Sequence, residues 1–355
     1  MSRLLTRCLL VLSGLLGLAS FAYSQSFVLD LPRPSQHAVV TQRVGVTDIT
    51  INYHRPLVNG RRVWGSLVPY GQVWRAGANE NTVIEFSTPV TVEGQPLAAG
   101  RYGLHMLPAE NEWTVIFSKN STSWGSFTYD KAEDALRVTV KPQATEMHEA
   151  LTYDFDDPKG DSVVATLRWE KVAIPFKVAV NVNQVMDDSL HRQLRGLAQY
   201  TWMSWNDAAN YLLASKSNLD EALKYADKSI DNEDRFDNEI TKSQVLTALG
   251  RKDDAQATED KALAMATSLQ IQMYARGLQG QGQQDKAFQI FRTNAQKHPD
   301  QWFIHSGLAR ISCGQGDYAN AAKEMKLALA AAPADQKTYI EGLVKRLEAK
   351  DDINK

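Results

Sequence analysis

The chain of 355 residues is longer than one ordinary globular domain and predicts two domains plus any targeting segment. Its 43% hydrophobic and 23% charged residues are typical of soluble globular proteins and exclude disorder as the main state. The net charge of −2 argues against a dedicated nucleic-acid-binding protein, and two cysteines are too few for a disulfide-dense scaffold or a four-thiolate zinc site.

Residues 1–24 have the pattern of a signal peptide. Arg3 and Arg7 lie before or at the start of an apolar run of about 12 residues, and Ala22-Tyr23-Ser24 offers small residues for cleavage before Gln25. The alternative is a retained membrane anchor, but the run is shorter than the ~20 residues that span a bilayer. We predict an exported protein in the periplasm or at the cell surface of a Gram-negative bacterium, with no membrane span after signal removal.

Residues 25–178 are rich in prolines and in short segments whose apolar and polar residues alternate. Asn-Gly and Glu-Gly pairs between these segments are typical of tight turns. Alternation at period two indicates strands, and seven or more short strands predict an antiparallel β-sandwich. The segments are DITINYH, TVIEFS, RYGLHML, EWTVIFS, LRVTVK, EALTYDF and VVATLRWE.

The stretch from Tyr53 to Asn81 concentrates arginine and aromatic residues. A guanidinium binds carboxylates and phosphates through two parallel hydrogen bonds and stacks on aromatic rings. This chemistry predicts a pocket for an anionic or glycan ligand, with Arg55, Arg61, Arg75, Trp74, Asn79 and Glu80 as candidate ligand-binding residues. In the alternative, the arginines pair with carboxylates and backbone carbonyls to fix a long loop, and the tryptophans belong to the core.

Catalytic and metal-binding motifs have little support in the β-rich half. His54, His105 and Glu85 on three predicted strands are a weak metal-site candidate, because no clustered ligand spacing accompanies them. Glu80 and Glu85 are the candidate carboxylate pair for glycosidase chemistry, but only the fold could place them at the required separation. No G-x-S-x-G motif is present, and the glycines at 277–282 follow no strand, so we predict no catalytic residue and no cofactor.

The motifs of this half also resemble a known family. They are YxRP at 53–56, LVPYGxVWRxGAN at 67–79, GxYxLxxxP at 100–108, EWTVIFS at 112–118 and the pair Trp124-Gly125. Over residues 30–178 the chain resembles a bacterial family of exported proteins known as domain of unknown function 2911. The resemblance implies the extent of this domain but no activity, and fusion to helical repeats is similar to an arrangement in that family.

Residues 190–355 change to the 3.6-residue period of amphipathic helices. Similar segments centred on Ala222, Ala255, Ala287 and Ala321 recur at spacings of 33, 32 and 34 residues. Over residues 200–335 this pattern resembles the tetratricopeptide repeat, a 34-residue helix hairpin; a generic helical bundle is the alternative. The segment after Gln336 predicts a capping helix, and Cys313 reads as a small buried residue rather than a reactive thiol.

Taken together, these features predict an exported, non-enzymatic binding or assembly protein. Stacked helix hairpins form surfaces that hold proteins or peptides, so the repeats are expected to bind a protein or peptide partner. The β domain would add a recognition surface lined by arginine and tryptophan. The alternative is an enzyme or metal-dependent activity on a glycan or peptide, located in the β-domain cleft.

Overall fold

The computed structural model describes residues 31–355, so the predicted signal peptide and Cys8 lie outside the described residues. The described chain contains ten strands followed by ten α-helices and divides into two compact units between Val185 and Met186. The predicted fold class, an antiparallel β-sandwich followed by a helical domain, is confirmed.

The β unit contains a six-stranded and a four-stranded antiparallel sheet. The larger sheet has the order β1-β2-β3-β6-β7-β8, and the smaller has the order β5-β4-β10-β9. The strands are β1 Gln36–Val44, β2 Thr47–Arg55, β3 Val83–Phe86, β4 Val90–Val92, β5 Gln95–Leu97, β6 Gly100–Leu107, β7 Trp113–Ser118, β8 Asp134–Val140, β9 Gln143–Asp156 and β10 Ser162–Ala179.

Alternation along the strands places one face of the larger sheet in the core. On β2, Ile49, Ile51 and Tyr53 are buried, whereas Asn52 and His54 lie on the opposite, outer face. The Asn59-Gly60 and Glu93-Gly94 pairs form turns in which both residues have positive φ, between 48° and 78°. These are the backbone angles of tight turns that the sequence pattern predicts.

The helical unit is a series of consecutive antiparallel helices. Its helices are α1 Val182–Gln193, α2 Trp202–Ala214, α3 Leu219–Asn232, α4 Phe236–Ala248, α5 Lys252–Met265, α6 Ser268–Gly280, α7 Gln284–Lys297, α8 Trp302–Gly314, α9 Tyr318–Ala331 and α10 Ala334–Glu348. Helix α1 begins in the β unit, where Val185 joins the core of the sheets.

The sequence period has a direct counterpart in the helix hairpins. The four alanines that define it are buried where the second helix of each hairpin packs: Ala222, Ala255, Ala287 and Ala321. In the turn of each hairpin, a residue with positive φ follows shortly after the end of the first helix: Lys216, Gly250, Gly282 and Gly316. Small residues at the crossings allow close approach of the helices, and left-handed turn residues end the first helix of each pair.

Within residues 31–355, no helix combines the length and apolar composition needed to cross a bilayer.

Candidate functional site

The 56–82 segment between β2 and β3 is anchored in the core by its tryptophans. Trp64 packs edge-on against Trp113, with ring centroids 4.9 Å apart, and against Trp169 at 5.7 Å. Trp74 stacks on Trp169 at 5.9 Å, and its indole Nε1 donates to the Gly77 carbonyl at 3.2 Å. Trp74, a candidate ligand-binding residue, therefore lies in an aromatic core cluster that fixes the long segment.

Two of the three candidate arginines bind backbone carbonyls. Arg55 Nε donates to the Leu151 carbonyl at 2.9 Å, and Arg61 Nε donates to the Val58 carbonyl at 3.0 Å. The structure thus gives Arg55 and Arg61 surroundings separate from those of Arg75. Arg55 thus links the end of β2 to β9, and Arg61 holds the start of the 56–82 segment to itself, which is the arrangement expected if arginines fix a long loop.

Arg75 lies beneath the loop that joins β7 to β8. Its Cζ lies 5.9 Å from the ring centroid of Phe127, and a Cβ added at Gly125 would lie 2.3 Å from its Nη1. Burial lowers the pKa of Arg75, and no hydrogen-bond partner of its Nε is found among the described residues. Gly125 also has φ +67°, so any side chain there would be strained as well as crowded against Arg75.

The loop of residues 119–133 covers part of the outer face of the six-stranded sheet. Beneath it, Val83, His105, Ile116 and Ser118 are buried although they point away from the core between the sheets. His105 Nδ1 hydrogen-bonds to the Ser126 hydroxyl at 2.9 Å. The outer face therefore carries a small set of buried residues that packs against this loop and holds it in place.

Glu80 is the centre of a polar cluster beside this loop. It forms an ion pair with Arg33, and its Oε2 lies 3.4 Å from His54 Nδ1. The His54 ring lies 5.3 Å from that of His37, its cross-strand neighbour on β1. Asn79 Nδ2 donates to the Ser35 carbonyl at 3.4 Å and so holds the segment that carries Arg33.

The charges of the polar cluster nearly cancel. Burial alone would raise the pKa of Glu80, but a backbone hydrogen bond and Arg33 outweigh burial and hold that pKa below its ordinary value. Burial lowers the pKa of His54, and this outweighs the raising effect of Glu80. At neutral pH the cluster is thus one carboxylate, one guanidinium and an uncharged His54 imidazole.

An open cavity of about 680 Å³ borders the polar cluster, with exposed aromatic rings nearby. Arg33, His37, His54 and Glu80 line it together with Leu31, Pro32, Ser35 and Gln36. Trp124 is 48% exposed and Phe127 is 82% exposed on the adjoining loop. The Arg33 Cζ lies 5.2 Å from the Trp124 ring centroid, so the 119–133 loop and the polar cluster form one continuous surface.

The three residues of the metal-site candidate, His54, His105 and Glu85, do not lie close enough together to share a metal ion. Glu85 pairs with Thr50 on β2 and with Arg101 on β6, four residues from His54 and from His105 respectively. At about 3.4 Å per residue, each histidine is ~13 Å along the sheet from Glu85. Within residues 31–355, no group of three or more His, Cys, Asp or Glu could hold a metal ion.

Sequence reasoning found part of this surface and missed the rest. Glu80 and Asn79 were predicted as ligand-binding residues, and both lie at the polar cluster. Arg33 and His37 were missed because they lie more than 40 residues before Glu80 and no local motif marks them. The Trp124-Gly125 pair is the sequence motif that could have marked this surface, since Trp124 packs on Arg33 and Gly125 lies against Arg75.

The helical unit has its own candidate surface, for which no residues were predicted. Two neighbouring cavities of about 640 and 420 Å³ are lined by α4, α6, α8 and α10, of which α4, α6 and α8 are first helices of hairpins. We call this surface the first-helix groove. Its lining residues include Phe236, Ile240, Leu269, Gln272, Met273, Arg276, Trp302, Phe303, Ser306, Tyr339 and Ile340.

Apolar side chains in the first-helix groove are exposed. Met273, which lines both cavities, is 64% exposed, and Leu269 and Tyr339 are each more than half exposed. Gln272 is buried beside them, and its amide donates to the Phe303 carbonyl at 3.0 Å. A row of exposed apolar residues around a few fixed polar groups is the usual composition of a protein or peptide binding surface.

Comparison with known proteins agrees with the structural division. Residues 35–178 match the model of a family described as a protein of unknown function, DUF2911. This segment covers the strands of the β unit from β1 to most of β10. No significant match is found among curated proteins.

Proposed function

We propose that the helical unit binds an extended peptide segment of a partner protein in the first-helix groove, and that the protein has a binding or assembly role. The observation that carries this proposal is the exposure of Leu269, Met273 and Tyr339 on facing helices. Methionine and aromatic side chains adapt to varied apolar partners, and such residues dominate the energetics of binding surfaces.

The regular hairpins support the same function. Buried alanines and left-handed turn residues recur with the spacing of the sequence repeat, as in a tetratricopeptide-like array. Such arrays form extended concave surfaces that bind ligands. The signal-peptide pattern of residues 1–24 supports export, so the proposed partner is a periplasmic or cell-surface protein of a Gram-negative bacterium.

Replacing Met273 by alanine is expected to weaken peptide binding at least about tenfold, or ~1.4 kcal/mol, because this side chain borders both cavities of the groove. Peptides are first selected from a displayed random library with the full chain, and their dissociation constants are then measured by fluorescence anisotropy. Leu327→Ala is the matched control, because Leu327 is a partly exposed apolar residue on the second helix α9.

The two variants decide whether the groove is the binding surface. The expected result is tenfold weaker binding to Met273→Ala and unchanged binding to Leu327→Ala. Equal binding to both variants, or failure to select any peptide, would contradict the proposal.

A second candidate function concerns the β unit, for which we propose recognition of a neutral glycan. The supporting observation is the exposed Trp124 ring beside a cavity lined by hydrogen-bonding groups. Apolar ring faces stack on sugar rings, while the carboxylate, imidazoles and guanidinium can bond to hydroxyls. An anion is less favoured in this cavity than the sequence suggested, because Arg33, the arginine that lines it, already forms an ion pair with Glu80.

Replacing Trp124 by alanine is expected to reduce binding of neutral oligosaccharides at least about tenfold. The full chain is tested on an array of neutral and acidic oligosaccharides, and affinities for those it binds are measured by calorimetry. Tyr70→Ala is the control, since Tyr70 is an exposed aromatic residue of the 56–82 segment away from the cavity lining. Exclusive binding of acidic sugars, or equal losses in both variants, would argue against this site.

A further inference from the structure

The last residues of the chain lie against the same helices that form the first-helix groove. Arg310 Nη1 on α8 donates to the Ile353 carbonyl at 2.6 Å. Gln279 Nε2 on α6 donates to the Asn354 side-chain oxygen at 2.8 Å, and Asn354 Nδ2 donates to the Arg310 carbonyl at 3.0 Å. A short segment is therefore held through both its backbone and its side chains.

Helical spacing shows that this segment continues along the groove. On α6, Gln279 follows Gln272 by seven residues and Arg276 by three, so the three side chains share one face, and both Gln272 and Arg276 line the open cavity. On α8, Arg310 follows Ser306 by four residues and Phe303 by seven. Residues 351–354 thus lie on the same faces of α6 and α8 that line the open cavity, further along both helices.

Burial and charge define what the occupied part of the groove accepts. Ile353 is 3% exposed and packs in the apolar cluster formed by α8, α9 and α10. Arg310 is almost fully buried, and its pKa is lowered by burial and by the nearby Arg276. Arg310 Nη1 donates to the Ile353 carbonyl, whereas within residues 31–355 no hydrogen-bond partner is found for its Nε.

The acidic side of the segment faces another arginine. Arg346 Nε on α10 lies 3.1 Å from Asp351 Oδ2, and its Nη2 donates to the Asp352 carbonyl at 2.8 Å. The buried Cys313 thiol donates to Asp352 Oδ1 at 3.3 Å. The segment thus presents two acidic residues, a buried aliphatic residue and an asparagine, and its contacts with arginine are those to Arg310 and Arg346.

We propose that residues 351–354 are an intramolecular ligand of the first-helix groove, which accepts acidic peptides carrying an aliphatic residue followed by asparagine and must release its own segment to bind them. This inference rests on the proposed peptide-binding function. A tethered segment competes at an effective concentration in the millimolar range, so a peptide from another chain binds more weakly while the segment is in place.

Removal of the segment is the first test. The probe is a fluorescein-labelled peptide containing Ser-Asp-Asp-Ile-Asn-Ser, and its dissociation constant is measured by anisotropy. A chain ending at Lys350 is expected to bind this peptide at least about tenfold more tightly than the full chain. Changing the probe's isoleucine to serine should abolish that gain, since Ile353 is the buried residue of the segment.

The second test uses a reversible disulfide in the full-length chain, so its result does not depend on how the shortened chain folds. Asp352→Cys places a thiol next to Cys313 in a chain whose other cysteine, Cys8, is replaced by serine. Oxidation with diamide joins the two thiols and holds the segment in the groove, and dithiothreitol releases it. The oxidised form should bind the probe at least about tenfold more weakly than the same protein after reduction.

The outcomes separate this inference from the proposed function. Equal probe binding by the oxidised and reduced forms would overturn the idea of a competing segment, while leaving the Met273→Ala test of the groove intact. No probe binding by either the shortened or the reduced chain would overturn the stated peptide class. Loss of probe binding only in the oxidised form supports the inference.

Discussion

Replacing Trp169 by alanine is expected to lower the free energy of unfolding of the β unit by about 3–5 kcal/mol. Trp169 is 1% exposed and packs against both Trp64 and Trp74, so truncation removes a contact of both rings and leaves a large cavity. Its partners belong to the 56–82 segment, and that segment carries Arg75, Asn79 and Glu80. We therefore expect the loss to spread from the core to the polar cluster.

Hydrogen exchange can assign this loss to the β unit. The slowest amides of β7 and β10 should exchange about two to four orders of magnitude faster in Trp169→Ala, while those of α8 and α9 keep their protection. Trp169→Phe is the matched control, because it retains an aromatic ring and removes an indole Nε1 that has no hydrogen-bond partner among the described residues. Unchanged protection of β10 in the alanine variant would show that the cluster is not the core of this unit.

The sequence pattern predicted the elements of the fold because their signals are local. Alternation identified strands such as β2 and β7, and the 3.6-residue period identified the helix hairpins together with their buried alanines. The tryptophans could be assigned either to a pocket or to the core, since a motif states which residues are present but not which way they point. The contacts of Trp74 decide for the core.

The candidate sites depend on contacts between distant parts of the chain, which no local pattern contains. Glu80 forms an ion pair with Arg33, which lies in the segment before β1. Phe127 of the 119–133 loop, between β7 and β8, contacts Arg75. The segment at 351–354 meets α6 more than 70 residues away. Proximity of this kind follows from strand register and helix stacking, so it becomes visible only when the fold is known.

These distant contacts also explain why Glu80 and Asn79 lie at the polar cluster while Arg55 and Arg61 do not. All four lie in or beside the 56–82 segment. Asn79 has the left-handed φ of 59°, and its side chain donates to the Ser35 carbonyl beside the polar cluster. Arg55 donates to a carbonyl of β9, and Arg61 donates to the Val58 carbonyl within the segment. Residue type alone could not distinguish a guanidinium that faces a ligand from one that binds the backbone.

The stability of the β unit is expected to fall by about 3 kcal/mol as pH decreases from 6.5 to 4, because of His105. This side chain is 3% exposed beneath the 119–133 loop, and burial lowers its pKa to about 4 despite the opposing effect of Asp134. Unfolding restores an ordinary pKa near 6.5. The unfolded state therefore takes up a proton first, and each pH unit between these values costs the folded state about 1.4 kcal/mol.

The variant His105→Gln isolates this contribution, since glutamine can still hydrogen-bond to Ser126 but does not titrate in this range. Denaturant unfolding of both proteins between pH 7 and 4 should show a pH dependence that is shallower by about 1.4 kcal/mol per unit in the variant. Carboxylates that titrate in the same range contribute equally to both proteins and cancel in the difference. Identical slopes would contradict this expectation, because they would mean that His105 takes up a proton in the folded protein as readily as in the unfolded chain.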